Sequence, residues 1–291
     1  MDDLLYWVAL HGVEGLGPAT FKLLLDKFEG PKAVMEAQKK ELISVRGLSD
    51  SVTRGIMQGR TRLEDTKRLL KTLNKNGIKI LVKGMEEYPA PLEGMKNPPV
   101  VLYSKGKYPQ EDERAVAIVG TTRPTKKGFW IARESAKRLA RMGYTIVSGY
   151  ARGIDTAAHL GALEAGGRTV LALPMGILRF FWRGEFKPYM KNEENFLLLG
   201  DCFPTQCWHV GAAMSRNRLI ACLSRAVFVV ETGDMGGAVY TAEFARGLGK
   251  KIFTLRYTNT PQAFKGNQRM IESGAIPVTN FKELEECMAN L

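Results

Sequence analysis

Two short, largely apolar runs, Val116-Ala117-Ile118-Val119 and Tyr144-Thr145-Ile146-Val147, each break into a glycine-containing turn and lie one helix apart. Runs this short, without polar alternation, suit strands buried on both faces, which is the condition of a parallel sheet. The interval is therefore read as a βαβ unit. In such a sheet ligands lie at the carboxyl ends of the strands, where turns and helix N-termini present backbone N–H groups to negative charge. The two turns there are Gly120-Thr121-Thr122-Arg123 and Ser148-Gly149-Tyr150-Ala151-Arg152-Gly153-Ile154-Asp155. Each carries arginine, whose forked donors match phosphate oxygens. The pair is read as a phosphate-binding site.

The alternation continues, with further strands expected near 168–173, 196–199, 226–231 and 251–255. It predicts an α/β fold, a parallel sheet with helices on both faces. The helix after the second turn is bounded by Asp155 as N-cap and by Gly166-Gly167 beyond its end. Residues 174–195, rich in Phe, Trp, Arg and Lys but without a clear period, are expected to form an ordered, irregular excursion near the sheet's carboxyl edge. Upstream, residues 1–76 read as a small all-α domain, with apolar residues at helical spacing in 4–10, 21–28 and 63–73. Within it Val13-Glu14-Gly15-Leu16-Gly17 returns as Val45-Arg46-Gly47-Leu48-Ser49, 32 residues later. Both look like helix-hairpin-helix turns. Either the turn and the next helix grip a phosphate, or glycine simply makes the bend. Residues 77–113 form a transition segment, with strands at 78–82 and 100–103 around a proline-rich passage unfit for a central strand. The sheet domain spans 114–291.

A chain of 291 residues with 45% hydrophobic content can bury a large core. Its net charge of +12 divides as +5 over residues 1–110 and +7 over the rest, so no single tail explains it. Such a charge favours polyanions without specifying one. Four cysteines are too few for a disulfide framework, and Cys202, Cys207 and His209 lack both a C-x-x-C pair and a fourth ligand, so no metal is assigned. No apolar stretch reaches the ~20 residues that cross a bilayer. The acidic start Met1-Asp2-Asp3 lacks the basic region of a secretory signal. The expectation is a cytoplasmic protein without a membrane partner.

A dinucleotide site needs Gly-x-Gly-x-x-Gly in the first βα turn. Here the second and third glycines are absent, and Arg123 would crowd a pyrophosphate while suiting a single backbone phosphate. No P-loop pattern is present either. No cofactor is expected.

Gly120-x-x-Arg123, Ser148-Gly149-x-Ala151-x-Gly153-Ile154-Asp155-x-x-Ala158-His159, Glu164-Ala165-Gly166-Gly167-Arg168-Thr169, Ser215-Arg216-Asn217-Arg218-Leu219-Ile220-Ala221 and Gly236-Gly237-x-x-x-Thr241-Ala242 occur in this order. The set resembles the DprA/Smf family of DNA-processing proteins, as do Tyr88-Pro89-x-x-Leu92 and Pro98-Pro99 before it. The similarity covers roughly residues 78–280. It implies an extended Rossmann-like domain behind a helix-hairpin-helix or SAM-like one. It implies that Gly120, Thr121, Arg123, Ser148, Gly149, Arg152, Gly153, Arg216, Asn217 and Arg218 bind single-stranded DNA, with no catalytic residue. It further implies a homodimer that protects incoming single strands and delivers RecA recombinase onto them, in transformation or homologous recombination. This chain departs from the family pattern at Ala213-Met214, at Gly236-Gly237-Ala238-Val239 and at Leu255-Arg256.

Arg216 and Arg218 lie two apart where a helix is read to begin, so they point in different directions, one binding outward while the other ties loops. His159 is read as packed and hydrogen-bonded. Aromatic faces hold bases by stacking; Tyr150 and the run 180–182 are the leading candidates, with Phe129 and Trp130 behind them. The alternative is a nucleotide-binding enzyme, or one cleaving a nucleotide's N-glycosidic bond. Gly236, Gly237, Thr241 and Glu243 faintly resemble the glycine-rich motif of phosphoribohydrolases, enzymes of a related Rossmann-like fold, and Glu231, Asp234 and Glu243 are its acids.

Overall fold

The computed structural model describes residues 2–106, 108, 110–257 and 264–291, which form two compact units. The first unit runs to Tyr88 and takes up Glu93–Lys105. It comprises α1 (Asp2–His11), α2 (Pro18–Lys27), α3 (Pro31–Glu36), α4 (Lys39–Ile43), α5 (Asp50–Thr61) and α6 (Leu63–Lys75), then the antiparallel pair β1 (Lys79–Val82) and β2 (Val101–Lys105). Leu10, Phe21, Leu24, Leu42 and Ile56, all fully or almost fully buried, make the helical core. The two repeated turns share one geometry: Gly15 and Gly47 sit at φ 79° and 91°, and Leu16 and Leu48 donate to Val13 and Val45 carbonyls at 3.2 and 3.1 Å. They differ one residue later. The Ser49 hydroxyl accepts from Val52 N–H at 3.3 Å, while Gly17 gives α2 no side-chain cap. An anion's donor is thus occupied in the second copy and open in the first.

The proline-rich passage closes into one helical turn, α7 (Ala90–Glu93), with Pro91 where a missing N–H is harmless. The second unit's sheet follows, with β3 (Ala115–Val119), α8 (Lys126–Arg141), β4 (Thr145–Ser148), α9 (Ile154–Glu164), β5 (Thr169–Ala172), β6 (Phe196–Gly200) and α10 (Val210–Leu223). The chain continues through β7 (Ala226–Val229), α11 (Gly237–Gly247), β8 (Lys251–Leu255), α12 (Lys265–Glu272), β9 (Ile276–Val278) and α13 (Phe281–Ala289). Among the described residues of this unit the strand order is β6-β5-β4-β3-β7-β8-β9, and every neighbouring pair is parallel. Side chains of a strand alternate faces. Val116, Ile118, Ile146, Phe228 and Phe253 accordingly pack with Ile131, Ala158 and Leu284 of α8, α9 and α13 on one side, while α10 and α11 lie against the other. Each large apolar side chain buried this way contributes about 1.5–3 kcal/mol.

All six strands expected after residue 114 are present, and β9 is added at the edge, where Pro277 removes no central ladder bond. Two local expectations change. The cap of α9 is Gly153, at φ 78°, because the break falls there; Asp155 lies inside the first turn and reaches back to the preceding loop. Helix α10 starts at Val210, capped by the His209 ring accepting from Ala212 N–H at 3.2 Å, so Arg216, Asn217 and Arg218 lie inside it and not at its start.

Candidate nucleic-acid interface

The chain winds outward from β3 in both directions, so its switch point lies between β3 and β7. At the carboxyl ends there the surface opens into a cleft of about 730 Å³. Its walls are the turn after β3 (Gly120, Thr121, Thr122), the turn after β4 (Ala151, Asp155), one face of α10 (Ala213, Arg216, Asn217) and the start of α11 (Gly236, Gly237).

The two turns are locked into one body. Thr121 carbonyl accepts from Ile154 N–H at 3.2 Å. A Cβ on Gly120 would stand 2.6 Å from Ile154 Cγ1, and one on Gly153 would stand 2.7 Å from Pro124 Cδ, so neither position tolerates a side chain. Above the second turn lies Arg216, 7% exposed, and a Cβ on Gly149 would fall on its guanidinium. Arg216 Nη1 is 3.5 Å from Asp155 Oδ2, which also accepts from Gly149 and Ala151 N–H groups at 3.1 and 3.3 Å. One carboxylate thus gathers a loop, a helix start and a distant arginine. Burial pulls the Arg216 guanidinium below its ordinary pKa, against the upward pull of Asp155.

Helix α11 meets the cleft without a side-chain cap: Gly236 sits at φ 142° and offers none. First-turn N–H groups of a helix have no partner within it, so this end is a donor cluster for an anion. Its position is set by Asn217, whose amide donates to Gly237 carbonyl at 3.3 Å, and by Thr241, whose hydroxyl donates to the same oxygen at 2.8 Å.

The residues singled out from sequence are distributed as follows. Gly120, Thr121, Arg216 and Asn217 line the cleft. Arg123 is exposed on the first turn, and Arg152 is exposed on the second, facing an adjoining groove. The Ser148 hydroxyl is buried and donates to Ile118 carbonyl at 2.7 Å, inside the sheet. Arg218 is half-buried, its guanidinium 5.3 Å from the Phe244 ring centroid.

Tyr150 is the only non-glycine residue at positive φ (57°) among the described residues. Its N–H donates to His159 Nε2 at 3.2 Å, and its ring packs on Phe180 and Phe186 with the Arg183 guanidinium 4.2 Å from its centroid. His159 is wholly buried and fixed as the neutral Nδ1–H tautomer, because the Thr169 hydroxyl donates to Ile146 carbonyl and can only accept from the ring at 2.7 Å. Burial first, then Arg183 and Arg216, push its pKa down to about 3. The folded value lies below the unfolded one of about 6.5, so His159's contribution is complete above pH 6.5 and is lost as pH falls toward 3. Stability is expected to fall by on the order of 2 kcal/mol between pH 6.5 and pH 5 through this group. Urea titrations at both pH values, with His159→Gln flattening the difference, check it.

Several residues of the site hold structural roles that no local sequence signal marks. Glu231, fully buried, accepts from Thr125 N–H (2.8 Å), Thr125 hydroxyl (2.6 Å) and Tyr257 hydroxyl (2.6 Å), and thereby fixes Thr125, whose hydroxyl caps α8 by accepting from Gly128 N–H at 2.8 Å, behind the first turn. Asn267, 1% exposed, accepts from Thr232 N–H at 2.9 Å and donates to Val230 carbonyl at 2.7 Å, holding the turn after β7. Trp208, Val210 and Met235, 57%, 67% and 89% exposed, line the cleft with apolar surface. Of the acids in the enzyme reading, Glu231 is spent on Thr125 and Tyr257, while Asp234 and Glu243 pair with Arg269 (3.4 Å) and Arg246 (3.6 Å). Among the described residues no three or more His, Cys, Asp or Glu converge as metal ligands, and no helix is long and apolar enough to cross a membrane.

Comparison with known proteins bears on this arrangement. Protein Smf of Synechocystis is 31% identical over 96% of this chain and 71% of its own length, and DNA processing protein DprA of Bacillus subtilis is 29% identical over 75% and 74%. The X-ray structure of DNA processing protein A from Streptococcus pneumoniae matches at a TM-score of 0.80 and 25% identity over 97% of both chains. A structure of DNA processing protein A from Helicobacter pylori, described for its unique single-stranded DNA binding mode, matches at 0.64 and 27% over 73% of this chain and 96% of that one. The profile of the DNA recombination-mediator protein A family spans residues 79–289, from β1 through all the turns that build the cleft, and the chain belongs to that family.

Proposed function

We propose that the cleft at the β3–β7 switch point binds single-stranded DNA, and that the chain is a non-catalytic DNA-processing protein. The observation that carries this reading is the uncapped start of α11 sharing the cleft wall with exposed Trp208 and Met235, while the two locked turns that reach the cleft carry exposed Arg123 and, toward the adjoining groove, exposed Arg152. Phosphates are attracted to the helix end and to guanidinium groups. Bases gain contact with the apolar wall, which only an unpaired strand can offer its base faces to. Gly120, Thr121, Gly149 and Gly153 shape the backbone; Ser148, Arg216 and Asn217 hold it; Arg218 seats α10 beside Phe244. The single-stranded DNA binding described for the Helicobacter pylori relative supports this assignment. The family likeness also supports homodimerisation, protection of the strand and loading of RecA recombinase onto it, in the cytoplasm. Residues 1–76, 77–113 and 114–291 are proposed as its functional parts, the last holding the strand.

Fluorescence anisotropy with labelled oligo-dT and a duplex of equal length tests the reading. Single strands are expected to bind at least about 10-fold tighter, since a duplex presents no free base faces. Equal affinity for both would sink it. Incubation with nucleoside monophosphates is expected to release no free base, because the buried Glu231 carboxylate is already taken up by Thr125 and Tyr257; turnover lost in Glu243→Gln would instead establish the nucleotide-cleaving alternative.

A further inference from the structure

The irregular stretch between β5 and β6 carries features that the cleft does not use. Its aromatic residues form one cluster: Trp182 meets Phe196 edge-on at 4.8 Å and Phe180 at 5.0 Å, and Phe186 is fully buried against Leu160 and Leu163. This cluster anchors the stretch. Phe181 nevertheless leaves 70% of its surface in water. A single exposed phenylalanine is ordinary, but this one stands on a second groove of about 670 Å³ with Trp182, Arg183 and Arg152.

The cations of the groove are of two kinds. Arg183 is fixed, with Nη2 donating to the Thr156 hydroxyl at 2.8 Å, its plane on Tyr150, and Nε 3.4 Å from Glu185 Oε1, so it largely offsets the groove's one acid. Arg152 is exposed. The groove also adjoins the cleft, because Ala151 lines one and Arg152 lines the other. Neighbouring residues are about 3.8 Å apart at Cα, so a single ridge of chain separates the two depressions.

Resting on the reading that the cleft holds a single strand, we propose that this groove is a second stacking station for the same strand, one base lying on Phe181 and Trp182 with its phosphate at Arg152. An apolar floor beside an exposed guanidinium selects a ligand with a flat face and a negative charge. The strand leaving the cleft is such a ligand, and it passes the ridge.

The test uses the full chain and two oligo-dT lengths, one of about 4 nucleotides that fills only the cleft and one of about 16 that reaches the groove. Phe181→Ala is expected to bind the short oligonucleotide like the unaltered protein and the long one about 5- to 150-fold more weakly. Phe181→Trp should restore the long-oligonucleotide affinity. An exposed side chain affects folding little, which a shared urea midpoint verifies. Unaltered long-strand affinity in Phe181→Ala overturns the groove alone. Failure of the unaltered protein to bind either length overturns the cleft reading and this one with it.

Discussion

Gly149→Ala is expected to lower folding stability by about 3 kcal/mol, because the new methyl group takes the seat of the Arg216 guanidinium. The arginine must leave, and Asp155 then remains buried without its ion-pair partner, holding only the Gly149 and Ala151 N–H groups. Breaking a buried pair from one side typically costs 3–5 kcal/mol, and the two remaining donors keep the estimate near the lower end, at about 3. Arg216→Ala should cost about as much. The double variant should cost clearly less than the two singles together, since the added methyl enters space the arginine no longer needs. Urea unfolding midpoints at constant slope measure all three. A Gly149→Ala effect within about 0.5 kcal/mol, or simple additivity, would show that the seat is not shared.

Arg123 and Arg152 carry the second large effect. Both are exposed, so neither supports the fold and their loss should read out in binding. A hydrogen bond to a charged group contributes about 1.5–3 kcal/mol, so each alanine variant is expected to weaken oligo-dT binding by about 10-fold or more, and the double variant by roughly 10²-fold. Anisotropy titrations at fixed salt, beside unchanged unfolding midpoints, give the answer.

The strands after residue 114 were legible because parallel strands, covered on both faces, leave continuous apolar runs in the chain. The locked turns were legible too, since glycine and arginine cluster at the ends of those runs. What stayed hidden depends on partners far away in sequence. Thr125 and Glu231 are 106 residues apart, and nothing local marks Glu231 as the partner that fixes the cap of α8. Asn267 likewise ties the turn after β7 to the end of β8 through four hydrogen bonds that no short pattern encodes. Arg216 and Arg218 look alike on paper, yet the first is buried under Gly149 and the second half-buried beside Phe244. Burial of a charge depends on which carboxylate the fold brings to it, here Asp155, so it appears only with the structure. Asp155 was misplaced as a cap for a related reason: carboxylates often cap helices, but the left-handed Gly153 moved the break two residues upstream.

The central claim is that exposed guanidinium groups on two locked turns hold the backbone of an unpaired strand. A salt titration of oligo-dT binding measures this most directly, because each neutralised phosphate releases counterions and steepens the fall of affinity with salt by about 0.7 on a log–log plot. The unaltered protein should give a steep negative slope, and Arg123→Ala with Arg152→Ala should flatten it by about 1.4, two phosphates' worth. An unchanged slope and affinity in that double variant would contradict the account.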